Sequence, residues 1–141
     1  MNIFLSASFR TDDDQKFLKR IKKILETEGN VVWTAKEHLG DYYGTLSGER
    51  LNEIIEIEKD EILKSDLVVV LIKSLAPEPL MQELYASFFD IPILVYLKVD
   101  ENKALSLSPW IYYHGQVVKS EDAFLNAFRV IKESIENEYN K

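Results

Sequence analysis

The chain has no cysteine among its 141 residues, so disulfides, thiol nucleophiles and cysteine-based metal sites are excluded. Histidine is almost as scarce: His38 and His114 are the two, far apart and without local partners, and no metal-ligand spacing results. Positive charge is in deficit, with 17 Lys and Arg against 24 Asp and Glu and a net charge of −7. Gripping a nucleic-acid polymer takes clustered basic residues, so none is expected as a partner, although a nest of backbone N–H groups can still hold a small anion. No apolar run is long enough to span a bilayer. The opening MNIFLSASFR lacks the basic and long apolar regions of a signal peptide. These absences predict a cytoplasmic protein with no membrane partner, no metal and no other cofactor.

Glycine is sparse where phosphate-binding motifs need it. The turn after the first apolar run reads Ser6-Ala7-Ser8-Phe9-Arg10, without the glycines of a dinucleotide fingerprint, and no P-loop occurs anywhere. The third apolar run ends Leu71-Ile72-Lys73-Ser74, so the acceptor aspartate of a phospho-receiver is missing. A nucleophile elbow is also absent. Carboxylates, hydroxyls and one well-placed arginine remain to carry any chemistry.

Strand-like and helical segments alternate from end to end. Strands are predicted at 2–6, 30–33, 66–72, 91–97 and 115–119, and DLVVVLI (66–72) is the strongest because it is continuous and β-branched. Helices are predicted from Asp12 to the glycine at 29, over 51–63, over 77–89 behind a proline start, and from Ser120 to Tyr139. HLGDYYGTLSGE (38–49) reads as a loop. Such alternation predicts a single α/β domain with a three-layer flavodoxin-like fold: a five-stranded parallel sheet of order 2-1-3-4-5 with helices on both faces. In such sheets ligands bind beyond the carboxyl ends of the strands, at the switch point between the first and third. SASFRTDD and KSLAPEPLMQE are the two loops at that position.

The acids can be sorted by helical phase at about 100° per residue. In LNEIIEIEKDEIL, Leu51, Ile54, Ile55 and Ile62 share one arc, and Glu58 falls inside it. Glu53, Glu56 and Asp60 fall on the opposite side, with Glu61 just past the arc's edge. A carboxylate on a buried face is costly unless it is bonded, paired or open to a ligand. Glu58 therefore either takes a structural partner, reaches out to solvent, or faces a pocket. Glu83 lies early in the helix after the third strand, where the helix dipole favours an anion. Its phase, however, points away from a face centred on Leu80, Leu84, Tyr85 and Phe88. Pattern alone makes Glu83 a surface residue; its switch-point position makes it a candidate. Ser6, Ser8 and Arg10 form either a plain serine-rich turn with a surface arginine or a cradle for phosphate or carboxylate.

IFLSASFR, EKDEILKSDLVVVLI and QELYASFFDIPILVY resemble the nucleoside 2-deoxyribosyltransferase family, closest to its 2'-deoxynucleoside 5'-phosphate N-hydrolases. The likeness extends through LSPWIYYHG and the last helix. It implies Glu83 as the catalytic glutamate and Glu58, eight residues before Asp66, as the supporting acid. It also implies a sugar- and phosphate-facing turn at Ser8, Phe9 and Arg10, a pocket histidine at His38, and a phosphate-contacting Ser108 supplied by the partner of a homodimer. The implied activity is cleavage of the N-glycosidic bond of a nucleoside or its 5'-monophosphate, by hydrolysis or base transfer. Three positions depart from the family pattern: Ala7 stands for glycine, Glu58 for aspartate, and APEPLMQ for a serine–glycine loop. An alternative resemblance, to a TIR-like domain acting as an NAD glycohydrolase or an interaction module, rests on the same layout and on a glutamate after a VVV strand.

Overall fold

The computed structural model describes residues 1–40, 46–74, 76–98 and 112–141. Five strands form one parallel sheet: β1 (Asn2–Ala7), β2 (Val31–Trp33), β3 (Leu67–Ile72), β4 (Ile93–Leu97) and β5 (Gln116–Val118). Their order is β2-β1-β3-β4-β5, as the alternation predicts. Register runs Ile3 opposite Leu67 through Ala7 opposite Leu71, and Val68 opposite Ile93 through Ile72 opposite Leu97. The helices are α1 (Asp12–Thr27), α2 (Ala35–Leu39), α3 (Gly48–Lys64), α4 (Pro77–Ser87) and α5 (Glu121–Tyr139).

Local chemistry sets the boundaries. Thr11, Ser47 and Ser120 cap α1, α3 and α5 by accepting the backbone N–H of Asp14, Arg50 and Ala123. Gly29, at φ +89, leads the chain out of α1 in a conformation that side chains resist. Pro77 opens α4 without a side-chain cap. The short helix α2 was not predicted: Thr34 caps it through Glu37 N, and it takes in the first two residues of the segment read as a loop.

Period-two alternation divides the core into two layers. Ile3, Leu5, Leu67, Val69, Leu71, Leu94 and Tyr96 face α1 and α5, where Phe17, Leu18, Ile21, Leu25, Phe124 and Phe128 cover them. Phe4, Val68, Val70, Ile72, Ile93, Val95 and Leu97 face the other way, toward Ile62 of α3 and Ala86 of α4. Beneath the sheet's opposite edge, Asp66 accepts from Asn2 N at 2.8 Å and from Tyr139 Oη at 2.6 Å, tying the last helix to the start of β1.

Candidate active site at the switch point

The loops after β1 and β3 meet where the strand order reverses, and α4 packs over both of those strands. On α3, the buried residues are Ile54, Glu58 and Ile62, one every four positions. Glu58 thus faces inward as its phase predicts, at 6% exposure, while Glu53, Glu56 and Asp60 are exposed. Leu51 and Ile55, which share the predicted arc, are instead exposed.

On α4 the correction is larger. Its buried residues are Pro79, Glu83 and Ala86, while Leu84 and Phe88 are exposed. Leu80 and Tyr85 of the predicted face do pack against the core, but Leu84 and Met81 point outward and Glu83 points in, at 2% exposure. Glu83 is also the seventh residue of α4, beyond the first turn where the dipole acts. Burial dominates: desolvation pushes its carboxyl up to about 8, so the ligand-free site holds it protonated at neutral pH rather than poised as an anion. Its Oε1 is buried and meets no hydrogen-bond partner among the described residues.

Glu58 is tied to β1 through a residue that motif and phase do not mark. Gln82 Nε2 donates to Glu58 Oε2 at 3.0 Å, and Ser6 Oγ donates to Gln82 Oε1 at 2.5 Å. The amide, one residue before Glu83, holds the carboxylate against the strand end. Glu58, Gln82, Glu78, Ile55, Ile62 and Tyr85 line a cavity of about 250 Å³ between α3 and α4.

The turn after β1 differs from expectation. Ser8 Oγ donates to Asp14 Oδ2 at 3.1 Å, and Ser74 Oγ, from the β3–α4 segment, donates to the same oxygen at 3.0 Å. Asp14, which reads in sequence as one of three dipole-favouring acids, is buried. The Phe9 side chain does not face the crevice; it is buried in the α1-side core, with Lys36 Nζ 5.8 Å from its ring centre. Arg10 reaches across to Glu78 on α4 and forms an ion pair there. His38 lies on α2, its ring stacked on Trp33 and its Nδ1 3.0 Å from Thr34 O. Ser108 lies outside the described residues.

Ser6, Gln82 and Glu58 therefore form one hydrogen-bonded group, Ser8, Ser74 and Asp14 a second, and Arg10 and Glu78 an ion pair, while Glu83 is buried one residue after Gln82. The architecture is a flavodoxin-like α/β fold, shared with solved structures of low sequence identity. A 2-deoxyribosyltransferase from Bacillus psychrosaccharolyticus superposes with a TM-score of 0.64 at 13% identity, over 73% of this chain and 79% of that one. The CMP N-glycosidase BcmB of Clostridium botulinum does so with a TM-score of 0.61 at 17% identity, over 92% and 99%. A conserved protein from Enterococcus faecalis V583 gives 0.68 at 14% identity, over 95% and 98%. At such identities the likeness defines the fold. No protein-family model and no curated protein sequence matches the chain.

Proposed function

We propose that the protein cleaves the N-glycosidic bond of a nucleoside or its 5'-monophosphate, with Glu83 as nucleophile. The observation that carries this reading is the buried Glu83 carboxyl, whose Oε1 meets no hydrogen-bond partner among the described residues, on the helix whose Gln82 holds the buried Glu58. The fold likeness to a deoxyribosyltransferase and a CMP N-glycosidase supports the same chemistry.

In the proposed reaction an ionised Glu83 oxygen bonds to the anomeric carbon as the carbon–nitrogen bond breaks. The bonding pair leaves with the base, which takes up a proton. Glu58, oriented through Gln82 and Ser6, holds the sugar or passes that proton. Water, or a second base, then attacks the anomeric carbon and regenerates the carboxylate. A pair of acids in unlike surroundings suits this division of roles.

Exposed apolar side chains on the adjoining helices α3 and α4 (Leu51, Ile55, Met81, Leu84 and Phe88) support a homodimer formed through this side of the molecule. Sedimentation of the wild type and of Phe88→Asp tests it, with dissociation expected for the variant.

The activity is tested by incubating the protein with deoxynucleosides, deoxynucleotides, ribonucleotides and NAD, and assaying free base by chromatography. Release of a nucleobase that disappears with Glu83→Gln is the expected result. Nicotinamide release from NAD alone, or release unaffected by that substitution, would overturn the reading.

A further inference from the structure

The groups by the β1 turn that would receive a phosphate are already opposed by acids. The N-terminal turn of α1, a natural anion site, holds the buried carboxylate of Asp14. Both nearby hydroxyls, Ser8 from one loop and Ser74 from the other, donate to that carboxylate. The Arg10 guanidinium is paired with Glu78. Lys73 is partly buried and lines the same small cavity as Asp14.

What the crevice offers instead is acceptors. Glu78 Oε2 is buried without a hydrogen-bond partner among the described residues, although Oε1 of the same carboxylate holds Arg10. Buried acceptors of this kind lack donors, and sugar hydroxyls are donors whereas a phosphate dianion is not.

Resting on the N-glycosidase reading of this crevice, we propose that its substrate is an unphosphorylated nucleoside, and that Glu78 is the residue that selects it. A sugar hydroxyl donates to Glu78 Oε2 while Arg10 stays paired. A 5'-phosphate would have to take Arg10 from Glu78 and lie beside the Glu78 carboxylate. An exposed ion pair is itself weak, so competition for the guanidinium discriminates little. Like-charge repulsion in a partly desolvated crevice supplies the rest, and a preference of about tenfold or more follows.

Two measurements test this. Base release is compared between 2'-deoxynucleosides and their 5'-monophosphates, for the wild type and for Glu78→Gln, which keeps the shape and removes the charge. The nucleoside is expected to be favoured in kcat/KM by about tenfold or more, and Glu78→Gln is expected to narrow that ratio about tenfold. A wild type that prefers the monophosphate, or a ratio that the substitution does not move, overturns the proposal. The second measurement needs no turnover: 2-deoxyribose 5-phosphate and 2-deoxyribose are titrated by NMR. Glu78→Gln is expected to tighten the sugar phosphate about tenfold without tightening the free sugar. If no substrate releases base, the N-glycosidase reading fails by itself. Equal affinity of both proteins for the sugar phosphate overturns the selection by Glu78.

Discussion

The two helical layers of this protein are built on opposite plans. On one face of the sheet, α1 and α5 bury Phe17, Ile21, Leu25, Phe124 and Phe128 and keep their charges out of the core apart from Asp14. On the other, α3 and α4 bury Glu58 and Glu83 and leave Leu51, Ile55, Met81, Leu84 and Phe88 outside. The first layer is an ordinary amphipathic solution that removes apolar area from water. The second gives up apolar burial to place two carboxyls against the strand ends. One layer holds the sheet; the other carries the proposed chemistry and leaves several apolar side chains exposed.

The largest effect that would break this contrast is catalytic. Glu83→Gln is expected to lower base release by at least about a thousandfold while leaving the fold intact. Retained activity in that variant would reduce the inverted layer to a packing oddity.

A stability comparison comes next. Phe128→Ala in the α5 face is expected to cost about 3–5 kcal/mol in urea unfolding, because it empties a fully buried site. Phe88→Ala, at a site 72% exposed, should stay within about 0.5 kcal/mol when unfolding is followed at a concentration where the proposed dimer is dissociated. Equal losses would show that both layers carry the fold alike.

The pH dependence of stability separates the layers again. The Glu83 carboxyl rises from an ordinary value of 4.5 to about 8 on folding, so between those limits the folded state binds more protons than the unfolded chain. Stability therefore falls as pH rises through that window, by up to about 1.4 kcal/mol per pH unit, and levels off above it. In Glu83→Gln this slope should vanish. The same group predicts kcat/KM rising with pH toward a plateau above about 8, since the nucleophile must ionise.

The smallest expected effect sharpens the role of the amide. Gln82→Ala removes the bond that orients Glu58 and is expected to lower kcat about ten- to a hundredfold, with less change in KM. Gln82→Glu should do at least as much harm, since it sets a second carboxyl against Glu58.

Much of this was legible in the chain. The continuous β-branched run of β3 and the regular alternation of strand and helix dictate a parallel sheet, and its switch point follows from topology. Glu58 stands out by phase because Ile54 and Ile62 flank it at four-residue steps. Glu83 does not, because a helical wheel assumes that the most apolar arc turns inward, and α4 violates that assumption. Asp14 hides in a run of three aspartates, any of which suits a helix start. Gln82 opens the segment QELYASFF without a role of its own there, and only its distances to Ser6 and Glu58 give it one.

By itself, then, the sequence determined the class of fold, the order of its strands and the two loops at which a ligand would bind. These depend on patterns repeated over many residues, each adding to the same local preference. Which way α4 turns, which acid loses its water, and which hydroxyls are already taken were decided only in the tertiary structure. Each depends on a few atoms brought within about 3 Å across dozens of residues of chain, and local periodicity carries no record of such contacts.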